Sequence, residues 1–202
     1  MSPKLLEEHN FTSHADLQSR ASTATNALLL KVLLVSDLVA FTATIHRLGD
    51  EQGHALIRCH NRLMRECLSR DDGLEVAHTG DGMIMSFDSA DSALSCAARI
   101  QWAFARYNSR SPVAPLLVRL GLHAGRPRHE EGRLFGACVN TAVRVCAMAG
   151  GQEVLLSRAV AELVHSNTFS IADRGEMAFK GLPTRLQVYA FEWRADSALE
   201  VN

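Results

Sequence analysis

Apolar and polar positions along the chain change period several times, and each change marks an element. Residues 31–36 form a continuous apolar run of strand length, the pattern of a central strand covered on both faces. Across 52–68, Leu56, Ile57, His60, Leu63, Met64, Cys67 and Leu68 recur at helical spacing, and Asp71-Asp72-Gly73 supplies the stop. Two short strands follow at 74–78 and 83–87, joined by the turn Thr79-Gly80-Asp81-Gly82. Residues 89–108 predict a second amphipathic helix, capped by Ser89, with an apolar face through Ala93, Leu94, Ala97, Ala98, Gln101 and Phe104. Beyond a breaker-rich linker at 109–115, the pattern predicts a strand at 116–123, a charged loop at 126–133 and a helix at 139–149. A strand at 153–156, a short helix at 158–165 and strands at 169–173 and 186–193 complete the series, with Lys180-Gly181 in the last turn.

The order β-α-β-β-α-β, then α-β-α-β-β, predicts an α/β (α+β) fold. It has a ferredoxin-like βαββαβ core with appended αβ elements, and its helices pack mainly on one face of a mixed sheet. Residues 30–194 form the domain. Residues 1–29 read as a tail or a loosely docked helix, and 195–202 as a C-terminal tail.

Composition narrows the partners more than the chemistry. The 202 residues are 47% hydrophobic and 21% charged, ordinary for a soluble domain. A formal net charge of -1 offers no bulk attraction to nucleic acid or to an anionic membrane, so neither is an expected partner. Five cysteines, odd in number and without CxxC or Cys/His spacing, read as core residues of a reducing compartment. With no signal-peptide pattern and no apolar run long enough to span a bilayer, the expectation is a cytoplasmic protein.

Two carboxylates carry the candidate chemistry. Asp37 ends the first strand, where capping the following helix is the commonest duty of an aspartate. Asp81 stands between two glycines, where a hairpin turn alone accounts for it. Taken together they are the minimum set for a Mg²⁺ pair, because Mg²⁺ takes a few carboxylates plus substrate phosphates rather than an all-protein cage. Asn140 and Arg144, four residues apart, share one face of the predicted helix and read otherwise as a surface polar pair.

Five segments in order resemble the signatures of the class III adenylate/guanylate cyclase catalytic domain. They are Ser36-Asp37-Leu38-Val39-Ala40-Phe41-Thr42, His78-Thr79-Gly80-Asp81-Gly82, Gly121-Leu122-His123-Ala124-Gly125, the run from Leu134 through Gly136 and Asn140 to Arg144, and Phe179-Lys180-Gly181-Leu182-Pro183. The resemblance implies the class III nucleotidyl cyclase fold and a homodimer with two active sites at its interface. It also implies conversion of a nucleoside triphosphate to a 3′,5′-cyclic nucleotide and pyrophosphate. Asp37 and Asp81 fall on the two metal-binding aspartates, for two Mg²⁺ or Mn²⁺ ions per site. Asn140 falls on the ribose-orienting asparagine, Arg144 on the transition-state arginine and Lys180 on the lysine that grips the β- and γ-phosphates. Phe41 and Thr42 would offer backbone N–H groups to phosphate at a helix start. His123 reads as a structural polar residue, and His78 receives no role.

The same pattern departs from the family at the base-reading positions, where Ala77 and Arg133 replace the usual lysine and aspartate. Alanine makes no side-chain hydrogen bond and arginine only donates, which suits guanine better than adenine. Ala40 stands where the family has a glycine. The sequence therefore predicts a nucleotidyl cyclase, with ATP to cAMP preferred by resemblance and guanylate cyclase as an alternative. A low-activity homologue serving as a nucleotide-binding or dimerisation module is a further reading. A polymerase-type palm, the third, has no use for the pair Asn140 and Arg144.

Overall fold

A computed structural model gives the structure of the protein, describing residues 29–110, 114–130, 133–179 and 185–195. The predicted tails lie almost wholly outside the described residues, as do Lys180 and the Gly181-Leu182-Pro183 turn. The expected order of elements is present. Strand β1 (Lys31–Leu38) leads through helices α1 (Phe41–Leu48) and α2 (Asp50–Leu68) to the hairpin β2 (Leu74–His78) and β3 (Met83–Phe87). Helix α3 (Ala90–Arg110), strand β4 (Val118–Gly125), a small hairpin β5 (Arg128–Glu130) and β6 (Arg133–Phe135), and helix α4 (Ala137–Met148) follow. The chain closes with β7 (Val154–Ser157), α5 (Arg158–Ala161), β8 (Ile171–Met177) and β9 (Leu186–Phe191).

Among the described residues seven strands form one sheet in the order β2-β3-β1-β4-β7-β9-β8. Its first four strands are antiparallel in the 2-3-1-4 order of a ferredoxin-like core, and β7 then joins β4 in parallel. The sheet is therefore mixed, as predicted.

Strand parity decides what each face does. On β1, Val32 and Leu34 enter the large core with Met83, Met85 and Phe87 of β3, Leu120 and Leu122 of β4, and the α2 and α3 side chains Met64, Leu94 and Phe104. Ala93, Ala97 and Ala98 leave no bulk between α3 and the strands. Leu33 and Val35 point the other way, to Ala142 and Cys146 of α4. The long helices α2 and α3 thus share one face, as expected, while α4 covers part of the opposite one. It lies flush there because β4 carries Gly121, where an added Cβ would fall 2.1 Å from the Cys146 backbone nitrogen, and Gly125, where one would fall 2.4 Å from Cys138 Cβ.

The helix expected at 158–165 ends at Ala161 and the strand expected at 169–173 runs over Ile171–Met177. Two further expectations need correction. Strand β1 does not stop at Ser36 but runs on through Asp37 and Leu38, paired with Arg119 and Val118, because β4 lies alongside and supplies the ladder. The charged segment 126–133 is not simply a loop. Its residues 128–130 pair with 133–135 as a hairpin, with His129 opposite Leu134 and Glu130 opposite Arg133. Three-residue strands rich in charge carry too few positions for a period-2 pattern to be visible.

Candidate functional site

The Asp81 turn and the end of β1 meet through Ser36. Its hydroxyl accepts a hydrogen bond from the Met83 N–H at 3.0 Å, and Ser36 is paired with Met83 across the strands. Gly82 presses on the Ser36 carbonyl, where any Cβ would sit 2.3 Å from the oxygen, so only glycine fits. Asp37 and Asp81 are the next residues outward from this contact, and the fold brings the two predicted carboxylates to the same end of neighbouring strands. Both also act on the buried imidazole of His60 in α2. Burial lowers its pKa, with Asp81 and Asp37 among the groups pulling it back up.

Asp37 is held in place. Arg119 of β4 donates to its Oδ2 from Nε at 2.8 Å and from Nη2 at 2.5 Å, and reaches the Ala147 carbonyl of α4 with Nη1 at 3.0 Å. One guanidinium therefore ties β1, β4 and the end of α4 together, at a partly exposed position where such a pair contributes more to geometry than to stability. Nothing local singles out Arg119, since its partner is 82 residues away and becomes visible only with the strand register.

The residues present fit a divalent cation. Among the described residues, no donor occupies Asp37 Oδ1 or either carboxylate oxygen of Asp81. No group of three or more His, Cys, Asp or Glu side chains gathers there as a closed cage. Two carboxylates with free oxygens at a partly open edge are the donor set of Mg²⁺ or Mn²⁺ that completes its shell with phosphate and water.

Helix α4 presents Asn140 and Arg144 away from the sheet. Cys138, Ala142 and Cys146 face β4 and β1, while Asn140 is exposed and Arg144 half-buried. Neither side chain hydrogen-bonds to a described residue of its own chain. Asp37 pairs with Arg119 and not with Arg144. Burial pushes the Cys146 thiol up to about 12, which leaves it a packing group.

At the start of α1, Phe41 is buried and Thr42 exposed. Among the described residues no side chain caps this helix, so its first N–H groups are open to an anion beside the end of β1. The preceding residue, Ala40, sits at φ 56°, ψ 26°, a left-handed conformation that favours glycine. Of the base-reading positions, Ala77 lies opposite Ile84, on the sheet face shared with α4, and Arg133 is exposed on β6. Lys180 lies outside the described residues. His123 forms a hydrogen bond with Ser157 Oγ at 2.8 Å, and burial lowers its pKa.

Residues 31–192 match the family model described as the adenylate and guanylate cyclase catalytic domain, and the chain belongs to that family. It is a family of phosphorus–oxygen lyases. The chain is 28% identical over 165 residues to a putative adenylate cyclase 3 of Rhizobium meliloti, covering 80% of this chain but only 28% of that protein's length. Among solved structures it resembles an adenylate cyclase of Trypanosoma brucei described in its monomeric state, at 22% identity and TM-score 0.72, over 81% of this chain and 90% of that one. An adenylate/guanylate cyclase/hydrolase of Silicibacter pomeroyi is 26% identical with TM-score 0.69, over 80% and 95% of the two chains. Among the described residues no helix is long and apolar enough to cross a membrane.

Proposed function

We propose that the chain converts a nucleoside triphosphate, ATP in preference to GTP, to its 3′,5′-cyclic monophosphate and pyrophosphate, as a homodimer with two interfacial sites. The observation that carries this reading is the joint placement of Asp37 and Asp81 at the same end of the neighbouring strands β1 and β3, with carboxylate oxygens that no described donor occupies, beside a helix start that no described side chain caps. The ribose 3′-oxygen attacks the α-phosphorus, the bond from that phosphorus to the bridging oxygen breaks, pyrophosphate leaves and the 3′-hydroxyl proton passes to solvent. Two divalent cations, when bound, supply charge that favours the 3′-alkoxide and neutralises the leaving group.

The chain's own residues bind and orient. Asp37, its carboxylate held by Arg119, and Asp81, on the Gly80–Gly82 turn, would hold the cations with the oxygens that no described donor occupies. The N–H groups of Phe41 and Thr42 meet triphosphate oxygens at the positive end of α1. Asn140 from the partner copy orients the sugar by its amide, and Arg144 from the same copy places a guanidinium where charge develops on the phosphorus. Neither has a hydrogen-bond partner among the described residues of its own chain, which supports a role across an interface. Lys180 completes the reading at the β- and γ-phosphates.

ATP is preferred because the Rhizobium relative is named an adenylate cyclase. Ala77 favours a second reading, since it gives a base no hydrogen bond: a slow or inactive homologue that binds a nucleotide or dimerises. Arg133, a donor alone, keeps a guanylate cyclase in view. Incubation of the purified chain with Mg²⁺ or Mn²⁺ and ATP or GTP separates these. Cyclic AMP formation lost in Asp37→Ala and in Arg144→Ala supports the first reading, while nucleotide binding without product from either triphosphate supports the second.

A further inference from the structure

A chain of polar contacts runs from the interior of α2 to the Asp81 turn. Asn61 Oδ1 lies 2.9 Å from His60 Nδ1 and 2.8 Å from His78 Nε2. The Gly80 N–H donates to His78 Nδ1 at 3.2 Å, and the Thr79 N–H donates to the Gly82 carbonyl at 2.9 Å. The roles in this chain are fixed by elimination. A backbone N–H can only donate, so His78 Nδ1 carries a lone pair and the neutral ring bears its proton on Nε2. That proton requires the oxygen of Asn61, not its NH₂, and the same oxygen then requires a proton on His60 Nδ1.

His60 is fully buried against Phe104, the ring centroids 5.5 Å apart, and its Nε2 has no partner among the described residues. The elimination leaves that atom as a bare lone pair, which a buried site tolerates better than an unpaired N–H. The far end of the chain is different. A Cβ at Gly80 would meet nothing within 4 Å, and its φ is +91°. Among the described residues nothing packs where a Gly80 side chain would lie, so the turn is restrained by hydrogen bonds, the Thr79–Gly82 bond across it and the Gly80 bond to His78.

We propose that Asn61 is a positioning residue for the turn that carries Asp81. It holds His78 in the one tautomer that accepts from Gly80, and so fixes the backbone from which Asp81 offers its carboxylate to a divalent cation. This rests on reading Asp81 as a cation ligand. Helix α2 serves as the rigid base, since Asn61 follows a residue locked in the core.

The test compares wild type, Asn61→Ala, His78→Ala, the double variant and Asp81→Ala, all in the full chain. Mn²⁺ alone is titrated and followed by electron paramagnetic resonance, and imidazole ¹⁵N shifts report the His78 tautomer. Asn61→Ala and His78→Ala are each expected to weaken Mn²⁺ binding about tenfold. The double variant should be no weaker than His78→Ala, because the two changes break one chain. His78 should carry its proton on Nε2 in the wild type and lose that preference in Asn61→Ala. His78 is exposed, so its variant gives a folded second test should Asn61→Ala fail to fold.

Unchanged Mn²⁺ affinity in both single variants, or fully additive losses in the double, would overturn the proposal while loss of binding in Asp81→Ala keeps the cation reading intact. Wild-type affinity in Asp81→Ala would overturn the cation reading itself, and with it the role of Asn61.

Discussion

Along β1, Val32 and Leu34 turn toward α2 and α3, and Leu33, Val35 and Asp37 toward the face of α4. On the first side, two long helices and an almost uninterrupted apolar cluster exclude water from the sheet. On the second, α4 is held close by Gly121 and covers only part of the strands, leaving Phe135, Val143 and Met148 exposed around the polar residues. Burial on the closed face stabilises the fold. The open face tolerates aspartate, asparagine and arginine because it never demands full desolvation of their charges. The same strands can therefore be rigid and chemically equipped, since alternate residues belong to different environments.

That division can be broken in measurable ways. The largest effect is expected at the open face: Asp37→Ala should lower kcat about 10³-fold in a cyclic-nucleotide assay while shifting the melting temperature little. A melting loss large enough to account for the lost activity would mean that Asp37 belongs to the structural side. On the closed face, Leu34→Ala should cost about 2–5 kcal/mol in a denaturant titration, whereas Met148→Ser on the open face should stay within about 0.5 kcal/mol. Equal costs would erase the distinction between the faces.

A smaller effect is expected from pH. His60 and His123 both have folded-state pKa values lowered by burial, so the unfolded chain binds protons more readily below the usual histidine value of about 6.5. Their contribution is fully present above that value and is lost as pH falls from it toward the lowered folded values. The melting midpoint should therefore drop on acidification from neutrality, and His123→Asn should flatten part of the slope. The smallest change is Ala40→Gly, which relieves a left-handed alanine and should raise stability by about 1 kcal/mol or less, because the added unfolded-state freedom offsets part of the gain. A loss of stability there would show that Ala40 is not strained.

Most of the fold could be read from apolar periodicity, because β1, α2, β3 and α3 each bury a regular pattern, while β2 is an exposed edge strand marked mainly by the turn that joins it to β3. The β5–β6 hairpin could not, since six polar-rich paired residues carry no period. Asp37, Asp81, Asn140 and Arg144 could be put forward as site residues because their motifs are local in sequence. Arg119 and the Asn61–His78 contact were hidden for the opposite reason: each acts through a partner brought near by register or by helix packing. Side chains that hold other side chains leave little local signal.

The central claim, that the carboxylates of one copy work with Asn140 and Arg144 of another, is tested most directly by mixing two inactive variants. In a mixed dimer of one Asp37→Ala and one Arg144→Ala chain, one of the two sites retains every residue, and random pairing makes half of the dimers mixed. The account predicts that the mixture recovers about a quarter of wild-type cyclase activity. A mixture as inactive as either variant alone would contradict it.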